Sequence, residues 1–251
     1  QELYKQRLGF TDPRGIYLSS LEALSQYDLK YPMVLKTVDG SNANGVHLVR
    51  SEAELRGRVR RMQGGLSLFN RIDLIRRKHL RTKRTISGWE NYHPETDRIQ
   101  YERHISPSLR FVLQKFIPGL DCDYRVIVVW DKFYVSRRMT RKGDWRASGT
   151  KLFTYSEMPN EPILNFARDF FLKVGLPVLA MDLGVSEGRI HLFEFQASHF
   201  GISPIKLGPG YFRLEGDGWV FHKQNSDYET DLARGLSLFL LERVFSHCPE
   251  N

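Results

Sequence analysis

Residues 178–197 read VLAMDLGVSEGRIHLFEFQA. Two runs of strand-forming residues flank a Ser-Glu-Gly turn. A connection that short predicts an antiparallel hairpin. One acid, Asp182, interrupts the apolar first strand. The second strand ends with Glu194 and Gln196 two positions apart, so they share a side. A turn near 187 sets Asp182 roughly opposite Glu194. Two carboxylates and an amide then converge on one sheet face. Buried carboxylates need cations or hydrogen-bond donors. A hard divalent ion suits them, and Mg²⁺ typically takes one or two protein carboxylates and fills its shell with phosphate oxygens and water. The plainer alternative is a one-sided sheet with these residues in solvent.

The remaining chain supplies the elements around this hairpin. YPMVLKTVDGSNANGVHLV (31–49) predicts a strand, a turn-rich loop and a second strand. Gly40, Ser41, Asn42 and Gly45 in that loop are types that tolerate tight or left-handed backbone. Backbone N–H groups in such a loop can cradle phosphates, and Lys36 closes the preceding strand as a point charge. An ordinary surface turn accounts for the same residues. Ser51 and Glu54 form a capping box for a helix from 51, with Leu55, Val59 and Met62 as its apolar stripe. RFVLQKFI (110–117) predicts a strand, and YRVIVVWDKFYVSRRM (124–139) a hairpin turning at Asp131-Lys132. Residues 161–177 predict an amphipathic helix, with Asn160 as N-cap and Gly175 as its stop. Residues 229–245 predict a closing helix. Residues 63–108 read as a basic, aromatic insertion with a long loop.

Charge is concentrated. The chain carries +8 overall, and residues 56–84 hold eleven Arg and Lys against one acid, Asp73. Such a block attracts phosphates, acidic polymers or nucleic acid, or simply solvates a helix face. Two cysteines, Cys122 and Cys248, exclude a disulfide scaffold and point to a reducing compartment, the cytoplasm. No apolar run reaches transmembrane length, and no membrane partner is expected.

Four segments, in order, resemble the ATP-grasp ligases, most closely the RimK-type amino-acid ligases. VLKTVDGSNANGVHLV resembles the strand with an ATP-binding lysine and its glycine-rich loop. VLQKFIPGLDCDYRVIVV resembles the interlobe hinge and Asp-x-Arg strand. SRRMTRKGDWRAS resembles the Arg-x(n)-Gly-Asp-Phe-Arg-x-Asn segment. AMDLGV…HLFEFQAS resembles the metal hairpin, where the family has Asp, then Glu-x-Asn.

The resemblance implies an α+β ATP-grasp fold of two lobes holding ATP between them. The division it implies is 1–113, carrying the loop and the insertion, and 114–251, carrying hinge, metal hairpin and closing helix. Lys36 contacts ATP phosphates, with Lys5 as the family's second lysine. Gln114, Lys115, Phe116 and Ile117 line the adenine pocket, and Asp123 reaches the ribose. Arg125, Arg138 and Arg146 stabilise the transferred phosphate or acyl intermediate. Asp182, Glu194 and Gln196 hold two Mg²⁺ ions, or Mn²⁺. Gln196 stands where the family has Asn, and Ser148 where the Arg-x-Asn segment has Asn. The implied activity joins a carboxylate to an amine at the expense of ATP through an acylphosphate. A kinase of an anionic or sugar-like acceptor uses the same nucleotide site and is the alternative. A nucleic-acid-binding module built on residues 56–84 is the third reading.

Overall fold

The computed structural model describes residues 1–37, 45–63, 68–80, 110–141, 143–147, 150, 152–158, 160–198 and 200–245. It is an α+β chain that separates into two compact units. One comprises Gly15–Phe116; the other joins Gln1–Arg14 to Ile117–Asn251. The sequence division set residues 1–14 with the first strands. They belong instead with the C-terminal unit, because Leu8 and Phe10 pack on its core and Phe10 meets Phe166 and Phe170 edge-on.

The Gly15–Phe116 unit is a four-stranded antiparallel sheet. Its strands are β1 (Gly15–Leu18), β2 (Met33–Thr37), β3 (Val46–Val49) and β4 (Phe111–Lys115), ordered β1-β4-β2-β3. After β3 comes a helix at Glu52–Gln63. Its start is a variant of the capping box: Ser51 Oγ accepts from the Glu54 N–H, while Glu54 Oε2 accepts from the Arg50 N–H. Leu55 and Val59, spaced to share a helix face, are fully buried with Leu35, Val49, Phe111 and Leu113. A second helix covers Leu68–Leu80, within the stretch read as an insertion with a long loop. Leu68, Ile72 and Ile75 already carry helical spacing, and the surrounding arginines masked it. The rest of the insertion, 64–67 and 81–108, lies outside the described residues.

The other unit begins with α1 (Glu2–Arg7) and is built on a larger antiparallel sheet. Its strands are β5 (Cys122–Val129), β6 (Lys132–Met139), β7 (Phe153–Thr154), β8 (Val178–Ser186), β9 (Arg189–Gln196), β10 (Gly210–Glu215) and β11 (Gly218–Lys223). The order is β11-β10-β6-β5-β8-β9, and β7 pairs with β6. The helix Glu161–Val174 forms as expected: Asn160 Oδ1 accepts from the Ile163 N–H, and Gly175 ends it at φ +66. Its buried residues Ile163, Leu164, Ala167, Phe170 and Phe171 pack on Val126, Val128, Leu179, Met181 and Leu183. That is one sheet face. The opposite face starts apolar, with Ile127, Val129, Tyr134, Val178 and Ala180 against Ile205 and Tyr211. The closing helix, Tyr228–Phe245, reaches this face through Asp231, which pairs with Lys132 at 2.5 Å and accepts from the Tyr134 hydroxyl.

Candidate functional site

Further along the same strands, that second face turns polar. Strand register fixes which side chains meet. Ile127 pairs with Ala180 and Tyr134, and two residues on Arg125 pairs with Asp182 and Ser136. Asp123 pairs with Arg138. Side chains two apart share a face, so Asp123, Arg125, Ser136, Arg138 and Asp182 continue the face begun by Ile127 and Tyr134.

Glu194 and Gln196 join this face through an irregularity in β9. Asp182 pairs with Glu194, but Leu183 pairs with Leu192, leaving Phe193 as an extra residue. This is a β-bulge, which shifts the side-chain phase by one. Below it Leu192 faces the helical core; above it Phe195 does. Unbroken alternation from Leu192 would aim Glu194 and Gln196 into that core. Gly184 makes room: a Cβ there would lie 2.5 Å from the Phe193 ring.

The charged groups form one network. Arg138 binds Asp123 through Nε (2.6 Å) and Nη2 (2.7 Å), and Asp182 Oδ2 through Nη2 (2.9 Å). Arg125 Nη1 donates to both oxygens of Asp182 (3.0 and 3.3 Å), and its Nη2 to Gln196 Oε1 (2.9 Å). Gln196 Nε2 donates to Glu194 Oε1 at 2.6 Å. Asp123, Arg138 and Asp182 are all buried, while Glu194 and Gln196 are half-buried. Burial pushes Asp123 up to about 6; Arg138 pulls it down and the charge of Asp182 adds to the rise. For Arg138, burial lowers the guanidinium, but Asp182 and Asp123 outweigh it and leave it raised. Arg125 Nε and Ser136 Oγ are buried cross-strand neighbours, and among the described residues neither has a hydrogen-bond partner.

The donor set suits a divalent cation that arrives with phosphate. Asp182 and Glu194 are adjacent hard-oxygen donors. Among the described residues no group of three or more His, Cys, Asp or Glu is placed to hold a metal unaided. Two carboxylates completed by phosphate oxygens is the usual Mg²⁺ arrangement.

The other expected site residues are distributed as follows. Asp123, expected at a ribose, has both carboxylate oxygens bound by Arg138. Arg146 is held by Asp144, three side-chain contacts at 2.9–3.3 Å, which lowers the Asp144 carboxyl. Lys5 is 1 % exposed and ion-paired to Glu2 at 3.2 Å, in the unit that carries the β8–β9 hairpin, not in that of Lys36. Lys36 lies in β2, half-buried, paired with Val46 and Val112. The loop base beside it is tight. The Thr37 N–H donates to Gly45 O at 3.0 Å, Gly45 has φ +78, and a Cβ there would lie 2.1 Å from Thr37 Oγ1. Gly40, Ser41, Asn42 and Ser148 lie outside the described residues. Gln114 is buried in β4, and the boundary between the units falls between Phe116 and Ile117. Ser136 was missed by sequence reasoning; only the register of the β5–β6 hairpin reveals it.

No family model matches the sequence, and no curated protein does. Solved structures resemble the fold at low identity. The ATP-grasp ligase PsnB complexed with minimal precursor is 17% identical, with TM-score 0.47, covering 96% of this chain and 58% of that one. An L-amino acid ligase from Bacillus licheniformis is 15% identical, with TM-score 0.47, covering 83% and 42%. A D-alanine-D-alanine ligase from Helicobacter pylori is 14% identical, with TM-score 0.44, covering 82% and 51%. The chain spans about half the length of these proteins.

Proposed function

We propose that the chain is the ATP-grasp portion of a carboxylate–amine ligase that activates its acid as an acylphosphate. The observation that carries this reading is the polar end of an otherwise apolar sheet face. There, Asp182 and Glu194 stand beside Arg125 and Arg138. The ordered resemblance of four segments supports the same reading.

In this reading Lys36 and the backbone of the glycine-rich loop bind the nucleotide phosphates, and Gln114 to Ile117 bind the base. Asp182 and Glu194 would hold Mg²⁺, which supplies charge neutralisation to the phosphates when bound. The γ-phosphoryl group passes to a substrate carboxylate oxygen, with ADP as leaving group. An amine then attacks the acyl carbon, expelling phosphate and forming the amide. Arg125 and Arg138 offer fixed positive charge where phosphoryl oxygens gain negative charge. Asp123 and Asp182 hold Arg138 on three contacts, so it needs little reorganisation. The basic stretch 56–84 suits an acidic acceptor. An anionic acceptor is also what favours the kinase alternative.

A screen of carboxylates and amines, read by ADP release and product mass, tests the reading. The expected product weighs the acid plus the amine less water, with free phosphate released. Glu194→Ala should abolish ADP release while leaving the thermal melt unchanged. ADP release that survives Glu194→Ala, or a phosphorylated acceptor without free phosphate, would overturn it.

A further inference from the structure

Gln196 does not behave as a free metal ligand in this network. Its oxygen faces the Arg125 guanidinium at 2.9 Å and its nitrogen faces the Glu194 carboxylate at 2.6 Å. The reverse orientation would set N–H against N–H and oxygen against oxygen, so the two partners fix the amide. Gln is one methylene longer than Asn, and at this length its amide touches both Arg125 and Glu194. Arg125, in turn, spends its two terminal nitrogens on Asp182 and Gln196.

We infer that Arg125, locked by Gln196, takes the place of one of two divalent cations, so that this chain binds a single Mg²⁺ per nucleotide through Asp182 and Glu194. This rests on the nucleotide-and-metal reading of the same site. Charge points the same way. Three carboxylates, Asp123, Asp182 and Glu194, against two guanidiniums leave one net negative charge at the polar face. One divalent ion turns that positive, ready for phosphate. A second would need a further carboxylate, and the remaining one, Asp123, has both oxygens bound by Arg138; the place beside Asp182 is held by Arg125, which Gln196 fixes. Gln196 is therefore a positioning residue for Arg125.

The test counts ions. The full chain is saturated with a non-hydrolysable ATP analogue and titrated with Mn²⁺, and free Mn²⁺ is read by electron paramagnetic resonance. Bound analogue is quantified separately by calorimetry. The wild-type chain should bind one ion per bound nucleotide. Arg125→Met removes the substitute cation and should raise the count to two. Gln196→Asn cannot span to Arg125 and should do the same; it answers the question if Arg125→Met fails to fold. Two ions in the wild type, or a count that stays at one in a folded variant, would overturn the inference alone. Absence of nucleotide binding by the wild type would overturn the ligase reading and this inference with it.

Discussion

Replacing Arg138 with Met removes the guanidinium from between two buried aspartates. Arg138 is 5 % exposed and makes contacts of 2.6, 2.7 and 2.9 Å. Asp182 keeps Arg125, but Asp123 loses the group that holds both its oxygens. Stranding a buried charge in this way costs about 3–5 kcal/mol, far more than the pair itself contributes to stability. Urea unfolding at pH 7 measures the loss. The cause can be isolated in two ways. The Arg138→Met/Asp123→Asn double variant removes the stranded charge and should recover about half of the loss or more. Acid should help as well. Asp123 sits at about 6 when folded, against an ordinary 3.8. A raised carboxyl takes its proton earlier in the folded state, so folding gains stability as pH falls from about 6 towards 4. Without Arg138 the carboxyl rises further, so the penalty of Arg138→Met should begin to shrink above pH 6. A loss under about 1 kcal/mol, or a double variant no more stable than the single one, would refute the stranded-charge argument.

Two further outcomes follow from the same geometry. Lys36→Ala should weaken nucleotide binding about tenfold or more by calorimetry, the worth of one charge-assisted contact, with the urea midpoint unchanged; an unaltered affinity would remove Lys36 from the phosphate site. Gly184→Ala drives a methyl into the tip of the Phe193 ring and should lower stability by about 1 kcal/mol, an effect that Phe193→Ala should relieve in the double variant. A neutral Gly184→Ala would mean the ring does not lie where the bulge puts it.

Local signals carried much of the architecture. Asn160 and Gly175 bracketed their helix because capping needs only residues already adjacent in sequence. Register was harder to read. Placing the first hairpin turn at Asp131-Lys132 would pair Asp123 with Thr140. The turn in fact falls at Trp130-Asp131, Trp130 taking φ +56, and this brings Asp123 to Arg138. A one-residue change in a turn moves a partner by two, so the Asp123–Arg138 pair was hidden until the strands were paired. In the second hairpin the turn is Glu187-Gly188, at φ +52 and +71. That alone would set Asp182 against Phe193. The bulge restores Glu194, and no pattern of alternation could announce it. The β10–β11 hairpin was not anticipated either. Its close pass depends on Gly210, where a Cβ would lie 2.0 Å from His222 O, a constraint visible only once the two strands are paired.

The bulge at Phe193 also works as a phase-shifting joint between two halves of β9. Residues 189–192 keep time with the helical core, and residues 194–196 keep time with Asp182 and the arginines. Each half answers to its own neighbours, and Phe193 absorbs the mismatch between them. The strand therefore carries one residue of slack. If Phe193 were lost, Leu192 and Glu194 would become consecutive and the ladder could close regularly, with every remaining side chain still on its own face. Elsewhere in a paired strand, dropping one residue puts the neighbours on the wrong side. Here the chemistry and the core are free to change length independently, because the join between them is a spare part.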